Sequence, residues 1–215
     1  MRCCVRRTIG QKEIDRKFFV IRKEVDFMVL KNLKMEPIKL LQKYYLPDSR
    51  AYSILLAHSL AVTNKALEVA RKVPQFNPDM QFIEEAGMLH DVGIFLTSAP
   101  EIDCHGTMPY ICHGYLGREL LEKEGLAKHA LVCERHVGVG LSVEDIENQK
   151  LKLPKRNMQP VTIEEEIICF SDKFFSKKGD GGAVEKSSEE ILAGIKKHNK
   201  DGVIKFKQWV IKFGG

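Results

Sequence analysis

The chain has 215 residues, 44% apolar and 29% charged, the size and balance of one ordinary globular domain, which excludes a disordered or fibrous chain. It holds no run of 18 uncharged apolar residues and no apolar stretch of signal type behind its Arg-rich start, so the expectation is a cytoplasmic protein without a membrane partner. The net charge of +5 is local: residues 1–34 hold ten Lys/Arg against four Asp/Glu, the remainder 24 against 25, and a nucleic-acid partner is therefore not expected.

Residues 1–34 read as a basic N-terminal extension. Met28 and Met35 lie close to where the charge excess ends, which would fit a start further along the chain. Residues 35–176 read as the main domain and 177–215 as C-terminal helices packing on its core.

Pro37, Pro47 and Pro74 break the first half. Apolar residues at helical spacing predict a helix over 53–72, and Asp79 is placed to cap a second over 80–91. Residues 93–112 read as a long structured loop, a length that is usually functional. Further helices are expected over 114–124, closed by Gly125, and over 126–137, stopped by Gly138 and Gly140. Residues 148–160 are a Pro-containing connector. Thr162 with Glu165 forms a capping box for a helix over 163–176. Residues 177–182 read as a flexible turn. Ser187 or Ser188 opens a helix ending near His198, and an amphipathic helix over 203–213 docks on the core. Convincing alternating strands are absent, so the expected fold is all-α.

Six cysteines (Cys3, Cys4, Cys104, Cys112, Cys133, Cys169) make no Cys-x-x-Cys pair, and a chain of this length needs no disulfide staples. They read as reduced structural thiols. The histidines carry more information. His58 lies in an apolar helical stretch, His90-Asp91 ends another, and Asp172 ends a third. A carboxylate in such surroundings costs several kcal/mol unless a cation or donor compensates it. A divalent ion is the economical compensation, and imidazole with carboxylate suits Fe, Mn, Co, Ni or Zn. His113 and His136, at the edges of two more helices, extend the set. Asp91 would bridge two ions, with His58, His90 and Asp172 on one and His113 and His136 on the other. His129 and His198 read as surface residues in Lys-rich neighbourhoods.

The ordered pattern His58, His90-Asp91, Asp172, with the local string Met88-Leu89-His90-Asp91-Val92-Gly93-Ile94, resembles the HD-domain metal-dependent phosphohydrolases over about residues 53–176. That resemblance implies an HD-type helical bundle with metal ligands on successive helices. His113 and His136 are similar to the additional ligands of the subset that holds two metals. The chain departs from the cyclic-di-GMP phosphodiesterases: Val137 follows His136, and no Gly-Tyr-Pro run follows His90-Asp91. Many HD enzymes also carry a Lys shortly after the His-Asp pair, whereas Ile94 and Phe95 stand here. Arg118, Arg135 and Lys173 are the candidates to hold substrate phosphate instead. The implied activity is hydrolysis of a phosphate ester or anhydride of a small phosphorylated substrate, a nucleotide foremost. Asp91 would position the attacking water, and His105, beside Asp103 in the long loop, would assist the leaving oxygen. The competing expectations are a di-iron oxygenase of the same family and a metal- or nucleotide-binding regulatory module without turnover.

Overall fold

The computed structural model describes residues 36–177, 183–197 and 199–214, and Pro37–Gly215 form one compact unit. The basic extension 1–34, with Cys3 and Cys4, lies outside the described residues, as does His198.

The unit is built from helices: α1 (Pro37–Tyr44), α2 (Arg50–Lys72), α3 (Met80–Leu89), α4 (His113–Lys123), α5 (Ala127–Arg135), α6 (Val143–Asn148), α7 (Ile163–Asp172), α8 (Ser188–Lys196) and α9 (Lys200–Phe213). The strands among the described residues are two antiparallel pairs of two residues each. Strand β1 (Ser98–Ala99) pairs with β2 (Cys104–His105), and β3 (Phe175–Ser176) with β4 (Val184–Glu185). None of the helices is long and apolar enough to cross a membrane.

Local chemistry accounts for most of the helix starts. Ser49 caps α2 by accepting from the Tyr52 amide, and Asp79 caps α3 by accepting from Phe82. Thr162 and Glu165 form the capping box that opens α7, as Ser187 and Glu190 do for α8. Three features differ from the sequence-based expectation. Pro37 begins a helix instead of breaking one, since its missing N–H costs nothing in the first turn. The connector is preceded by α6, opened by a capping box of Ser142 and Asp145. Helix α7 stops at Asp172, four residues early, and the chain turns into β3.

The core lies between α2, α3, α7 and α9. Val62, Ala66, Ile83, Ile167, Ile168 and Phe170 fill its centre. Phe206, Trp209 and Phe213 of α9 surround Phe170, with ring centroids 5.4, 6.5 and 5.2 Å away. Each such buried aromatic contributes about 1.5–3 kcal/mol, enough to fix α7 and hence Asp172 at its end.

Two close backbone approaches position the other side. A Cβ on Gly93 would lie 2.3 Å from the His113 carbonyl oxygen and 2.5 Å from the Gly117 amide nitrogen. A Cβ on Gly117 would lie 2.2 Å from the Cys133 sulfur. Glycine at both places lets the turn Val92–Leu96, α4 and α5 nearly touch, directly behind Asp91.

Candidate metal centre

Six side chains from five helices converge in the interior. His58 comes from the middle of α2, His90 and Asp91 from the end of α3, His113 from the first residue of α4, His136 from the cap of α5 and Asp172 from the last residue of α7. All six are buried. They form two groups that share Asp91: His58, His90, Asp91 and Asp172, then Asp91, His113 and His136, each group offering ligand atoms within 4.8 Å of one another. In the first, His58 Nε2 lies 3.1 Å from Asp91 Oδ2 and 3.0 Å from Asp172 Oδ1, and His90 Nε2 lies 3.1 Å from Asp91 Oδ2. In the second, the Nε2 atoms of His113 and His136 each stand 3.4 Å from Asp91 Oδ1.

The rings are oriented by one repeated device. His90 Nδ1 lies 2.6 Å from the Gly87 carbonyl, His113 Nδ1 2.6 Å from that of Tyr110, and His136 Nδ1 2.7 Å from that of Cys133. A carbonyl only accepts, so Nδ1 is the protonated nitrogen in all three. The Nε2 atoms of the neutral rings are then bare lone pairs. Burial first, with the nearby Lys177 ammonium, pushes His113 down to about 3 against the opposing pull of Asp91, and burial lowers His136 as well, so both stay neutral. Their Nε2 lone pairs nevertheless face each other at 3.1 Å, beside an anionic carboxylate. That arrangement is repulsive until a cation lies between them. Neither Asp91 oxygen receives a hydrogen bond of good geometry, and His58 Nδ1 has no partner among the described residues. The donor set therefore fits divalent transition metals, and the carbonyl-anchored rings are the arrangement that metal-ligating imidazoles favour.

Charge in the first group is already compensated. Burial would depress His90, but the Asp91 carboxylate and a hydrogen bond with Asp172 carry it up to about 9. Burial would raise both carboxyls; instead Lys177, then His90, hold Asp91 well below the usual range, and Lys173 and His58 do the same for Asp172. The nearby thiols are not ligands. Cys133 Sγ donates to the His90 carbonyl at 2.9 Å and Cys169 Sγ to that of His136 at 3.3 Å. Burial keeps both protonated, pushing Cys169 up to about 12 and Cys133 well above its ordinary value. The four described cysteines are free and buried.

A cavity of about 450 Å³ opens beside the His113–His136 side of the centre. Asp172, Lys173, Lys177, Lys186, Tyr110 and Glu101 are among the residues on its wall. Lys173 thus stands at the cavity, with Nζ 2.7 Å from Asp172 Oδ2. The two arginines read from the sequence as phosphate ligands point elsewhere. Arg118 pairs with Glu122 at 2.7 Å and Glu134 at 2.6 Å, and Arg135 with Glu165 at 2.8 Å, so each neutralises a buried carboxylate of the scaffold. His105 is exposed, pairs with Asp103 at 3.0 Å and is not among the residues that line the cavity. His129, expected at the surface, is instead buried, with Nε2 3.2 Å from Glu85 Oε2 and its ring edge-on to Phe82. Lys177 lies in a stretch whose sequence reads as a turn, yet its Nζ lies 2.6 Å from Asp91 Oδ2. The early end of α7 and the β3–β4 pairing put it there, and neither has a strong sequence signal.

Buried imidazoles and carboxylates brought together from five helices, with a His-Asp pair at the middle, define a helical metal-binding domain. The chain belongs to the HD domain family, whose model matches residues 55–176. It is 34% identical over 143 residues to an uncharacterized protein of Methanocaldococcus jannaschii, a match covering 64% of this chain and 77% of that one. It is also 30% identical over 140 residues to the tRNA (cytidine(56)-2'-O)-methyltransferase of Thermoplasma volcanium, covering 65% of this chain but only 35% of the relative. Among solved structures, the HD domain of the Listeria monocytogenes phosphodiesterase PgpH aligns with a TM-score of 0.49 at 18% identity, over 81% of this chain and 86% of that one.

Proposed function

We propose that this chain is a metal-dependent hydrolase of phosphate esters or anhydrides, with a nucleotide as its substrate. The observation that carries the reading is Asp91, a buried carboxylate whose two oxygens face two separate groups of imidazoles. His58, His90, Asp91 and Asp172 would hold one ion and Asp91, His113 and His136 a second, drawn from Fe, Mn, Co, Ni and Zn. When bound, such ions supply a water acidic enough to attack at neutral pH and screen the charge of a phosphoryl group.

The protein's own residues supply the rest. The carbonyls of Gly87, Tyr110 and Cys133 hold three rings with Nε2 turned inward. Asp91, fixed between the two groups, orients the attacking water. The cavity beside them presents Lys173, Lys177 and Lys186, the charge an anionic substrate needs, together with the Tyr110 ring as a flat apolar face. A volume of about 450 Å³ suits a mononucleotide. The match to the methyltransferase spans about a third of that protein, so methyl transfer is not carried over to this chain.

The test is phosphate release from a panel of nucleotides and simple phosphoesters by protein loaded with each metal in turn. Asp91→Ala is expected to lose both bound metal and turnover. Turnover that survives in Asp91→Ala would refute the assignment. Tightly held iron with no phosphate released from any substrate would favour the oxygenase, and a nucleotide recovered intact the binding module.

A further inference from the structure

Lys177 follows β3 directly, and its ammonium lies 2.6 Å from Asp91 Oδ2, the oxygen that the Nε2 atoms of His58 and His90 also approach at 3.1 Å. Lys173 makes the parallel contact to Asp172 Oδ2 at 2.7 Å. Each carboxylate of the four-ligand group therefore carries its own ammonium. The two lysines are not equally tied. Lys173 also donates to the His136 carbonyl at 3.3 Å, whereas the further partner of Lys177 is Tyr110, whose ring lies 5.9 Å from Nζ on the cavity wall. Both lysine side chains are largely buried, and both line the cavity.

A divalent ion on Asp91 Oδ2 cannot share that oxygen with an ammonium at 2.6 Å, because two cations so close repel strongly in a low-dielectric interior. The cavity is the space beside the ammonium, and Tyr110 lies on that wall.

We propose that Lys177 is a two-position residue, which neutralises Asp91 while the centre is free of metal and, once displaced by metal, turns into the cavity to bind the phosphate of the substrate. This rests on the metal-centre reading above. It makes metal and phosphate mutually supportive ligands: metal frees the ammonium that phosphate needs, and phosphate holds that ammonium away from the metal's oxygen. Linkage requires the support to be reciprocal.

The arrangement predicts effects of opposite sign from one substitution. Manganese(II) affinity, read by competition with a chelating dye, is expected to be about fivefold or more tighter in Lys177→Met than in the unmodified chain. Inorganic phosphate, titrated with and without manganese, is expected to bind more tightly to the loaded unmodified protein and to lose that gain in Lys177→Met. Lys177→Gln serves as the second variant should the methionine disturb folding. Equal or weaker manganese binding in both variants overturns the proposal, as does an unchanged gain in phosphate affinity. The readouts are binding constants, so they stand apart from turnover. A protein that binds manganese and phosphate as described yet hydrolyses nothing would sink the hydrolase and keep the lysine switch; one that binds no manganese would sink both.

Discussion

Gly93 and Gly117 pack so closely that a Cβ on the first would stand 2.5 Å from the amide nitrogen of the second. This contact presses the turn that follows Asp91 against α4, and α4 begins with His113. The glycine of the His-Asp-Val-Gly string is thus a spacing element for the second metal group. Gly93→Ala is expected to cost about 1–3 kcal/mol through overpacking and to weaken the ion held by His113 and His136 more than the one held by His58. Denaturant unfolding together with metal stoichiometry would check this; two full ions at unchanged stability would contradict it.

Metal should stabilise the fold, because a cation would relieve the facing lone pairs of His113 and His136 beside Asp91 Oδ1. At a hundredfold excess over its dissociation constant, a bound ion adds about 2.7 kcal/mol, a rise of about 5–10 °C in Tm for a chain of this size. Chelator should reverse it. Asp91→Asn should show no rise, since that carboxylate belongs to both groups.

The arginine partners give a prediction opposite to a substrate role. Arg135 holds the buried carboxylate of Glu165, and Arg118 that of Glu134, which Arg156 also contacts. Arg135→Ala is expected to lower stability by about 1–3 kcal/mol while leaving KM for any phosphorylated substrate unchanged. Arg118→Ala should cost less, because Arg156 remains on Glu134. A raised KM without loss of stability would return these residues to the substrate.

Acid stability should depend on His129. Burial first, set against its contact with Glu85, lowers its pKa below the ordinary histidine value. A depressed folded-state value means the neutral ring is favoured in the folded protein. That contribution is complete above the ordinary histidine range, near pH 6.5, and is lost as the pH falls toward the folded-state value. Unfolding free energy measured from pH 7.5 to 5 should therefore drop more steeply in the unmodified chain than in His129→Gln. NMR titration of the ring should place its midpoint below that of a free histidine.

The clustering of these residues was legible because buried charge is conspicuous in an apolar helix: His58, His90-Asp91 and Asp172 interrupt stretches that otherwise read as core. Caps at Asp79, Thr162 and Ser187 were equally readable, since a capping side chain acts within three residues. What stayed hidden depends on distant partners. Lys128 beside His129 suggests a surface, and only the packing of α5 against Glu85 and Phe82 of α3 shows otherwise. Arg118 and Arg135 look available until Glu134 and Glu165 are brought to them by tertiary contact. Lys177 lay in what read as a turn, and its role follows from a strand pair of two residues, too short to leave an alternating pattern.

Three of the four histidines around Asp91 are aimed by a carbonyl three residues earlier in the same chain segment. Their alignment is therefore set by the residues just before each ring. Replacements at Glu101 and Ile102, away from Gly93 and Tyr110, can reshape the wall of the cavity without rotating a histidine ring. A chain built this way can change what its cavity admits while keeping its imidazoles aimed at Asp91.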